Sequence, residues 1–369
     1  MSSGPQPRET ALNIAPYVPG RASADDGVET IKLSSNENPF GASLLAQQAV
    51  KDGARRLAVY PDGPATALRQ AIADSHGLDP DRIVCGAGSD EILNLLAQGY
   101  LQAGDEAIYT EHGFLVYPIA VMAAGGTPVK VAECDLTADV DAILAALTPA
   151  TKIVFLANPN NPTGTYLPKQ EIERLHAGLP ADVLLVLDGA YAEYLAHADY
   201  DPGVWLVDQA SNVVMTRTFS KIYGLAGLRL GWCYGPPAII DLLHRIRGPF
   251  NVSGVAIDAG IAALQDQNFI KEAVAHNSRW LAELPHRLAE IGLETTPSVG
   301  NFMLIHFPDD PGRRAADADA FLLSHGYVLR RVENYGLPHS LRMSIGTDAQ
   351  NQGVLAVLKI FMTREAASG

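Results

Sequence analysis

The 369-residue chain is poor in the features that mark several protein classes. It holds three cysteines, Cys85, Cys134 and Cys233, an odd count at wide spacing with no Cys-x-x-Cys pair. That argues against a disulfide framework and a thiolate zinc site, and for free thiols in a reducing compartment. Basic residues are in deficit: 27 Lys and Arg stand against 41 Asp and Glu, for a net charge of −14. Such a surface repels phosphate backbones, so nucleic acid is not an expected partner. A small anionic substrate stays open, because a few local arginines outweigh a distant field at short range. No apolar run approaches the roughly 20 residues needed to span a bilayer, so no membrane partner is expected. The stretch from Met1 to Asn13 lacks the apolar core of a secretion signal, and a cytoplasmic location is expected. Internal repeats and low-complexity tracts are absent as well.

What is present is an ordinary globular composition, 47% hydrophobic with 33 Gly and 24 Pro. A chain of this length exceeds what one core usually organises, so two lobes are expected. Short, continuously apolar runs recur at Ile83–Cys85, Ala107–Tyr109, Ile153–Leu156, Val183–Leu187 and Val213–Met215. They read as strands covered on both faces. Amphipathic helical stretches lie between several of them, such as Glu91–Gln98 and Gln170–Ala177, the alternation of an α/β fold with a largely parallel sheet. The pattern changes after Gly248-Pro249-Phe250. A long helical stretch, broken or not, covers Val255 to Ile291. Strand-like Phe302–His306, Tyr327–Arg331 and Leu341–Ile345 follow, with helices near Ala315–Leu323 and Gln350–Met362. The expected division is an N-terminal arm over 1–38, a large domain over 39–265, and a smaller α+β domain over 266–369.

Four polar clusters stand just past strand ends, where open α/β sheets bind ligands. In Gly86-Ala87-Gly88-Ser89-Asp90-Glu91, glycines permit close approach, Ser89 suits an N-cap, and a helix start suits a phosphate. It is not a dinucleotide fingerprint, because Glu91 stands where GxGxxG needs its third glycine. Asn158-Pro159-Asn160-Asn161-Pro162-Thr163-Gly164 reads as a rigid turn that can present the Asn161 amide. Asp188 ends an apolar strand, where a carboxylate is costly unless paired or ligand-bound. It can hold a pyridine nitrogen, and Tyr191 can donate to a phenolic oxygen. In Thr218-Phe219-Ser220-Lys221, an apolar, Gly-rich setting can depress the amine toward a nucleophile. Thr218, Ser220 and Arg229 supply donors suited to a phosphate. Each segment alone also has a plain structural reading: a capped turn, a Pro-fixed turn, a capping aspartate, a solvated lysine. Together they meet the needs of pyridoxal phosphate.

The order GxGSDE, NPNNPTG, DxAY, TFSK and GLAGLRLGW resembles the fold-type I pyridoxal-phosphate aminotransferases. Leu33-Ser34-Ser35-Asn36-Glu37-Asn38-Pro39, Tyr60-Pro61-Asp62-Gly63, Glu111-His112-Gly113-Phe114, Tyr335-Gly336-Leu337-Pro338 and Ser340–Gly346 resemble the histidinol-phosphate branch. The resemblance implies a large domain with a mainly parallel seven-stranded sheet sandwiched by helices, plus the small α+β domain. It makes Lys221 the Schiff-base lysine and proton carrier, and Asp188 the partner of the ring nitrogen. Tyr191 and Asn161 bond the phenolate oxygen. Ser89, Asp90, Thr218, Ser220 and Arg229 hold the phosphate, and Phe114 stacks on the ring. Tyr60 resembles a tyrosine that reaches the neighbouring subunit's phosphate, which implies a homodimer. Arg342 matches the grip on a substrate carboxylate. Arg330, with Tyr17 from the arm, resembles the grip on the phosphate of histidinol phosphate, and Asn36 lines the cleft. Alternation puts Arg330 and Arg331 on opposite faces. Gly189 departs from the relatives' Ala or Glu, which should loosen the turn after Asp188.

The implied reaction is amino transfer between L-histidinol phosphate and 2-oxoglutarate. An aromatic (Phe or Tyr) aminotransferase shares the flat ring but has no need of Arg330. A threonine-phosphate decarboxylase also uses this scaffold, whereas a regulator of this fold would carry an attached DNA-binding module, which is not seen.

Overall fold

The computed structural model describes residues 4–18, 20, 21 and 30–364. Its centre is a seven-stranded sheet in the order Ile83–Gly86, Gly231–Tyr234, Val213–Thr218, Leu184–Asp188, Thr151–Ala157, Glu106–Thr110 and Thr127–Val131. Only Gly231–Tyr234 runs antiparallel to its neighbours. The expected α/β class and mainly parallel sheet are therefore found.

The period-two geometry of a strand explains why these runs are apolar throughout. Ile83, Cys85, Val154, Leu156, Leu185, Leu187, Val213 and Met215 enter one core. Val84, Ile153, Phe155, Leu184, Val186 and Val214 enter the other, on the opposite face. Two strands escaped the apolar-run reading. Gly231–Tyr234 is fully buried but only four residues long, directly after a Gly-rich turn. Thr127–Val131 is largely uncovered and pairs with Glu106–Thr110 alone, an edge position that tolerates Pro128.

The long helical stretch is broken: Gly254–Gln265 and Gln267–Ala289 meet at Asp266, whose side chain accepts from Phe269 N–H and caps the second helix. That second helix passes between cores. Ala273 belongs to the large one, and Trp280, Leu284 and Leu288 to a separate one. The separate core is covered by a four-stranded antiparallel sheet in the order Glu294–Thr295, Phe302–His306, Ser340–Ser344, Arg330–Arg331. The expected strand over 327–331 is thus two pieces. Tyr327–Val328 pairs instead with Ile31–Lys32, which ties the chain before the large lobe to the small one. Leu33 joins the small core, and its carbonyl accepts from Ser344 N–H.

Candidate active site

The strands Ile83–Gly86, Thr151–Ala157, Leu184–Asp188 and Val213–Thr218 deliver their following residues to one cavity of about 200 Å³ between the two sheets. Ser89, Asp90, Phe114, Asn161, Asp188, Tyr191, Thr218, Ser220, Lys221, Arg229, Tyr17, Asn36, Arg330 and Arg342 all line it. Tyr60 does not. It is 79% exposed, stacks on Phe250 with centroids 4.6 Å apart, and borders a different hollow with Leu57 and Val59.

The helix Ser89–Tyr100 begins at the cavity, but its N-cap is Gly88, so Ser89 is not the cap the sequence suggested. Gly88 takes φ +84°, and a Cβ there would meet Arg229 Nη2 at 2.4 Å. Only glycine lets the guanidinium close over the loop. Ala87 N–H donates to Glu91 Oε2 at 2.6 Å and Gly88 N–H to Gly86 O at 2.8 Å. Ser89 and Asp90 are the first two residues of the helix and line the cavity, and the first N–H groups of a helix have no partner within it, which suits an anion. Arg229 donates to Asp90 Oδ2 at 3.1 Å and to Ser220 Oγ at 3.2 Å, so the clusters 86–91 and 218–229 form one cradle.

Asp188 closes its strand rather than capping a helix, and only 5% of it is exposed. Tyr117 O–H donates to its Oδ2 at 2.8 Å and Thr216 O–H to its Oδ1 at 3.1 Å. Burial raises its pKa to about 6, against the pull of those two hydroxyls. Tyr117 is a core aromatic, stacked on Phe155, but its hydroxyl is given to Asp188. Phe114, three residues earlier, meets the Tyr117 ring edge-on, with centroids 5.9 Å apart. Thr216 could have been found from strand alternation with Thr218. Gly189 does not loosen the turn. Its N–H donates to Thr216 O at 2.9 Å, and a Cβ would crowd Arg217 Cδ at 3.1 Å.

Lys221 Nζ donates to Ser35 O at 3.2 Å and lies 5.7 Å from the Tyr191 ring centre. Burial, with the nearby Arg342 charge, lowers its pKa to about 8. The Tyr191 hydroxyl oxygen accepts from Asn36 Nδ2 at 2.9 Å, which leaves its own proton for another acceptor. Burial also raises the Tyr191 pKa, so the phenol keeps that proton. Asn36 is held at φ 55° by a bond from its N–H to Ser344 Oγ, 2.7 Å.

At the opposite end, Arg330 and Arg342 lie directly across from each other in the antiparallel pair, both buried. Arg331 is exposed and paired with Glu333, the alternation expected. Arg342 donates to Ser34 O at 2.7 Å and to Asn161 Oδ1. Its Nε is buried without a partner. Arg330 Nη2 donates to Val18 O at 2.8 Å, beside Tyr17. Burial lowers the Arg342 pKa, and Arg330 adds to the shift. A buried arginine pair with an orphaned N–H fits an anion, and the 86–91 and 218–229 cradle fits a second one. Asp188, Tyr191 and Lys221 between them fit the ring nitrogen, phenolate and carbonyl of pyridoxal phosphate. Of the described residues, none form a His, Cys, Asp and Glu group suited to a metal.

Residues 28–358 match the family model "Aminotransferase class I and II". The histidinol-phosphate aminotransferase of Rhodopseudomonas palustris (strain TIE-1) is 56% identical over 361 residues, covering 98% of this chain and 99% of that one. The crystal structure of histidinol-phosphate aminotransferase from Sinorhizobium meliloti, in complex with pyridoxal-5'-phosphate, is 30% identical with a TM-score of 0.83, over 91% of this chain and 92% of that one. Thermus thermophilus aspartate aminotransferase, 24% identical with a TM-score of 0.78 over 91% and 92%, shares the fold. The chain belongs to the class I and II aminotransferases and, within them, to the histidinol-phosphate aminotransferase family.

Proposed function

We propose that this protein is a pyridoxal-phosphate aminotransferase that moves the amino group between L-histidinol phosphate and 2-oxoglutarate in histidine synthesis, yielding imidazole acetol phosphate and L-glutamate. The observation that carries the reading is the in-register pair Arg330 and Arg342, facing the same cavity as Lys221. Like charges directly opposite each other weaken a sheet, so the pair is an anion receptor. Glutamate brings a carboxylate and histidinol phosphate a phosphate, and Arg342 and Arg330 take them respectively, the latter with Tyr17. Asn36 lines the cleft beside them.

When bound, the cofactor supplies the electron sink that makes the donor's Cα–H acidic. Lys221, with its pKa near 8, is partly neutral at physiological pH. It can therefore attack a carbonyl carbon and afterwards carry a proton on Nζ. Asp188, fixed by two hydroxyls, presents its carboxylate to the ring nitrogen. Tyr191 O–H and the Asn161 amide N–H hold the phenolate oxygen, the Asn161 carbonyl being already taken by Arg342. Phe114 covers one ring face. Ser89 and Asp90 N–H, Thr218, Ser220 and Arg229 bind the phosphate.

The site is completed in a homodimer, in which Tyr60 serves the neighbouring subunit. Support comes from a bare apolar patch of Leu57, Val59 and Tyr60, each 73–79% exposed and bordering one hollow. Patches of this kind mark interaction surfaces. No helix among the described residues is long and apolar enough to cross a membrane, and we place the enzyme in the cytoplasm.

The test is a half-reaction panel on the cofactor-loaded protein with histidinol phosphate, glutamate, Phe, Tyr and threonine phosphate, followed by visible absorbance. Histidinol phosphate and glutamate should discharge the colour fastest. Arg330→Ala should weaken histidinol phosphate at least about tenfold more than Phe, a difference of about 1.4 kcal/mol. Equal losses would remove the phosphate role and favour an aromatic aminotransferase. Carbon dioxide from threonine phosphate would mark a decarboxylase.

A further inference from the structure

Glu91 is an acid in the first turn of the helix whose start is proposed to face the phosphate. Its Oε2 is fully engaged elsewhere. It accepts Ala87 N–H at 2.6 Å and Asn251 Nδ2 at 2.7 Å. The same Asn251 amide donates to Cys85 O at 3.1 Å, in the strand that leads into the loop. One side chain therefore holds the entry, and through Glu91 the middle, of the loop 86–89.

Asn251 is itself clamped. Arg247 Nη1 donates to Asn251 Oδ1 at 3.1 Å, to Gly248 O at 3.0 Å and to Pro249 O at 3.4 Å. The turn 247–251 so behaves as one piece. Its Phe250 stacks on Tyr60, with planes 23° apart. A Cβ on Gly63 would lie 2.7 Å from Pro249 O, so the Tyr60–Gly63 segment rests directly on the turn.

We propose that Glu91 and Asn251 are positioning residues that couple the phosphate loop of one subunit to the Tyr60 that the same chain presents to its neighbour. The proposal rests on the homodimer reading above. A phosphate that orders the loop in one site steadies Asn251, the turn and Phe250, and so favours Tyr60 in its working position at the other site. By linkage the effect is reciprocal, and the two sites bind cofactor with positive coupling.

The test uses the full-length protein. Glu91→Ala and Asn251→Asp should raise the pyridoxal-phosphate dissociation constant about tenfold, whereas Glu91→Gln, which keeps an acceptor oxygen for both donors, should stay within about twofold of the wild type. Equal weakening by Glu91→Gln would overturn the bracket. The coupling is read in mixed dimers in which one chain carries Lys221→Ala, with or without Asn251→Asp in that same chain. Only the other chain's lysine then gives the visible cofactor band, and its release is followed on dilution. Release should quicken at least about threefold when the neighbour carries Asn251→Asp. Unchanged release, with the altered chain's own site weakened, overturns the coupling. A monomer in sedimentation overturns the homodimer reading itself. That failure is distinct, since mixed species would not form while the own-site loss would persist.

Discussion

The two ends of the cavity are built on different principles. The end proposed for the cofactor sits on one buried sheet. Asp188 ends one parallel strand, Thr218 the next, and the loop 86–89 follows a third. Each of these strands is locked by side chains in two cores, so their tips have little freedom. The anion end sits on short antiparallel strands of the small lobe, and it takes Tyr17 from the arm. Arg342 is braced twice, by Ser34 O and Asn161 Oδ1, whereas Arg330 holds Val18 O. The difference teaches where rigidity lies in the proposed site: under the groups assigned to bond making, with the substrate's far end met by parts that other lobes and segments supply.

Arg342 belongs to both ends, because it holds Asn161, the residue proposed for the phenolate oxygen. Arg342→Ala should therefore give the largest effect. We expect a loss of about 2–5 kcal/mol in kcat/KM for both half-reactions, since a buried charged partner is removed and its acceptors are left bare. Arg330→Ala should instead spare glutamate. If Arg342→Ala affected one half-reaction only, the two ends would be energetically separate. Tyr117→Phe should come next. It leaves the ring stack and removes one hydrogen bond to a buried carboxylate, worth about 1.5–3 kcal/mol. Cofactor affinity should fall about tenfold or more, and the Asp188 midpoint should move above its present value near 6. An unchanged cofactor titration from pH 5 to 9 would show that Thr216 alone holds Asp188.

The smallest effect concerns stability without cofactor. The folded-state pKa of Lys221 is lowered from 10.5 to about 8, so burying its charged form opposes folding below about pH 8. The opposition fades as pH rises from 8 to 10.5, where the unfolded chain holds the proton and the folded one does not. Lys221→Met should accordingly raise the Tm of the cofactor-free protein by a few degrees at pH 7 and by nothing above pH 10.5. A gain that persists at high pH would come from packing instead.

Much of this could be read in advance. Clusters such as Asp188-Gly189-Ala190-Tyr191 and Thr218–Lys221 are contiguous, and they follow apolar runs whose meaning is local. Strand alternation put Arg330 and Arg331 on opposite faces, but it was the family resemblance that chose Arg330. Other features were hidden for equally physical reasons. The Tyr117 to Asp188 bond spans 71 residues and leaves no local pattern. Glu91 looked like the residue that spoils a glycine motif, and its use is visible only once Asn251, 160 positions away, stands beside it. Ser89 was a sound N-cap by type, but the helix starts one residue earlier, so Gly88, at φ +84°, takes the cap.

By itself, then, the sequence determined the class of fold and the strand-end polar clusters, and it singled out the amine proposed as nucleophile, since each follows from short-range periodicity and residue chemistry. Only the tertiary structure decided which arginines oppose each other, what holds Asp188, and what Glu91 is for. Those are matters of register and approach between distant segments, set when two cores on one sheet and a third beneath the small sheet pack together.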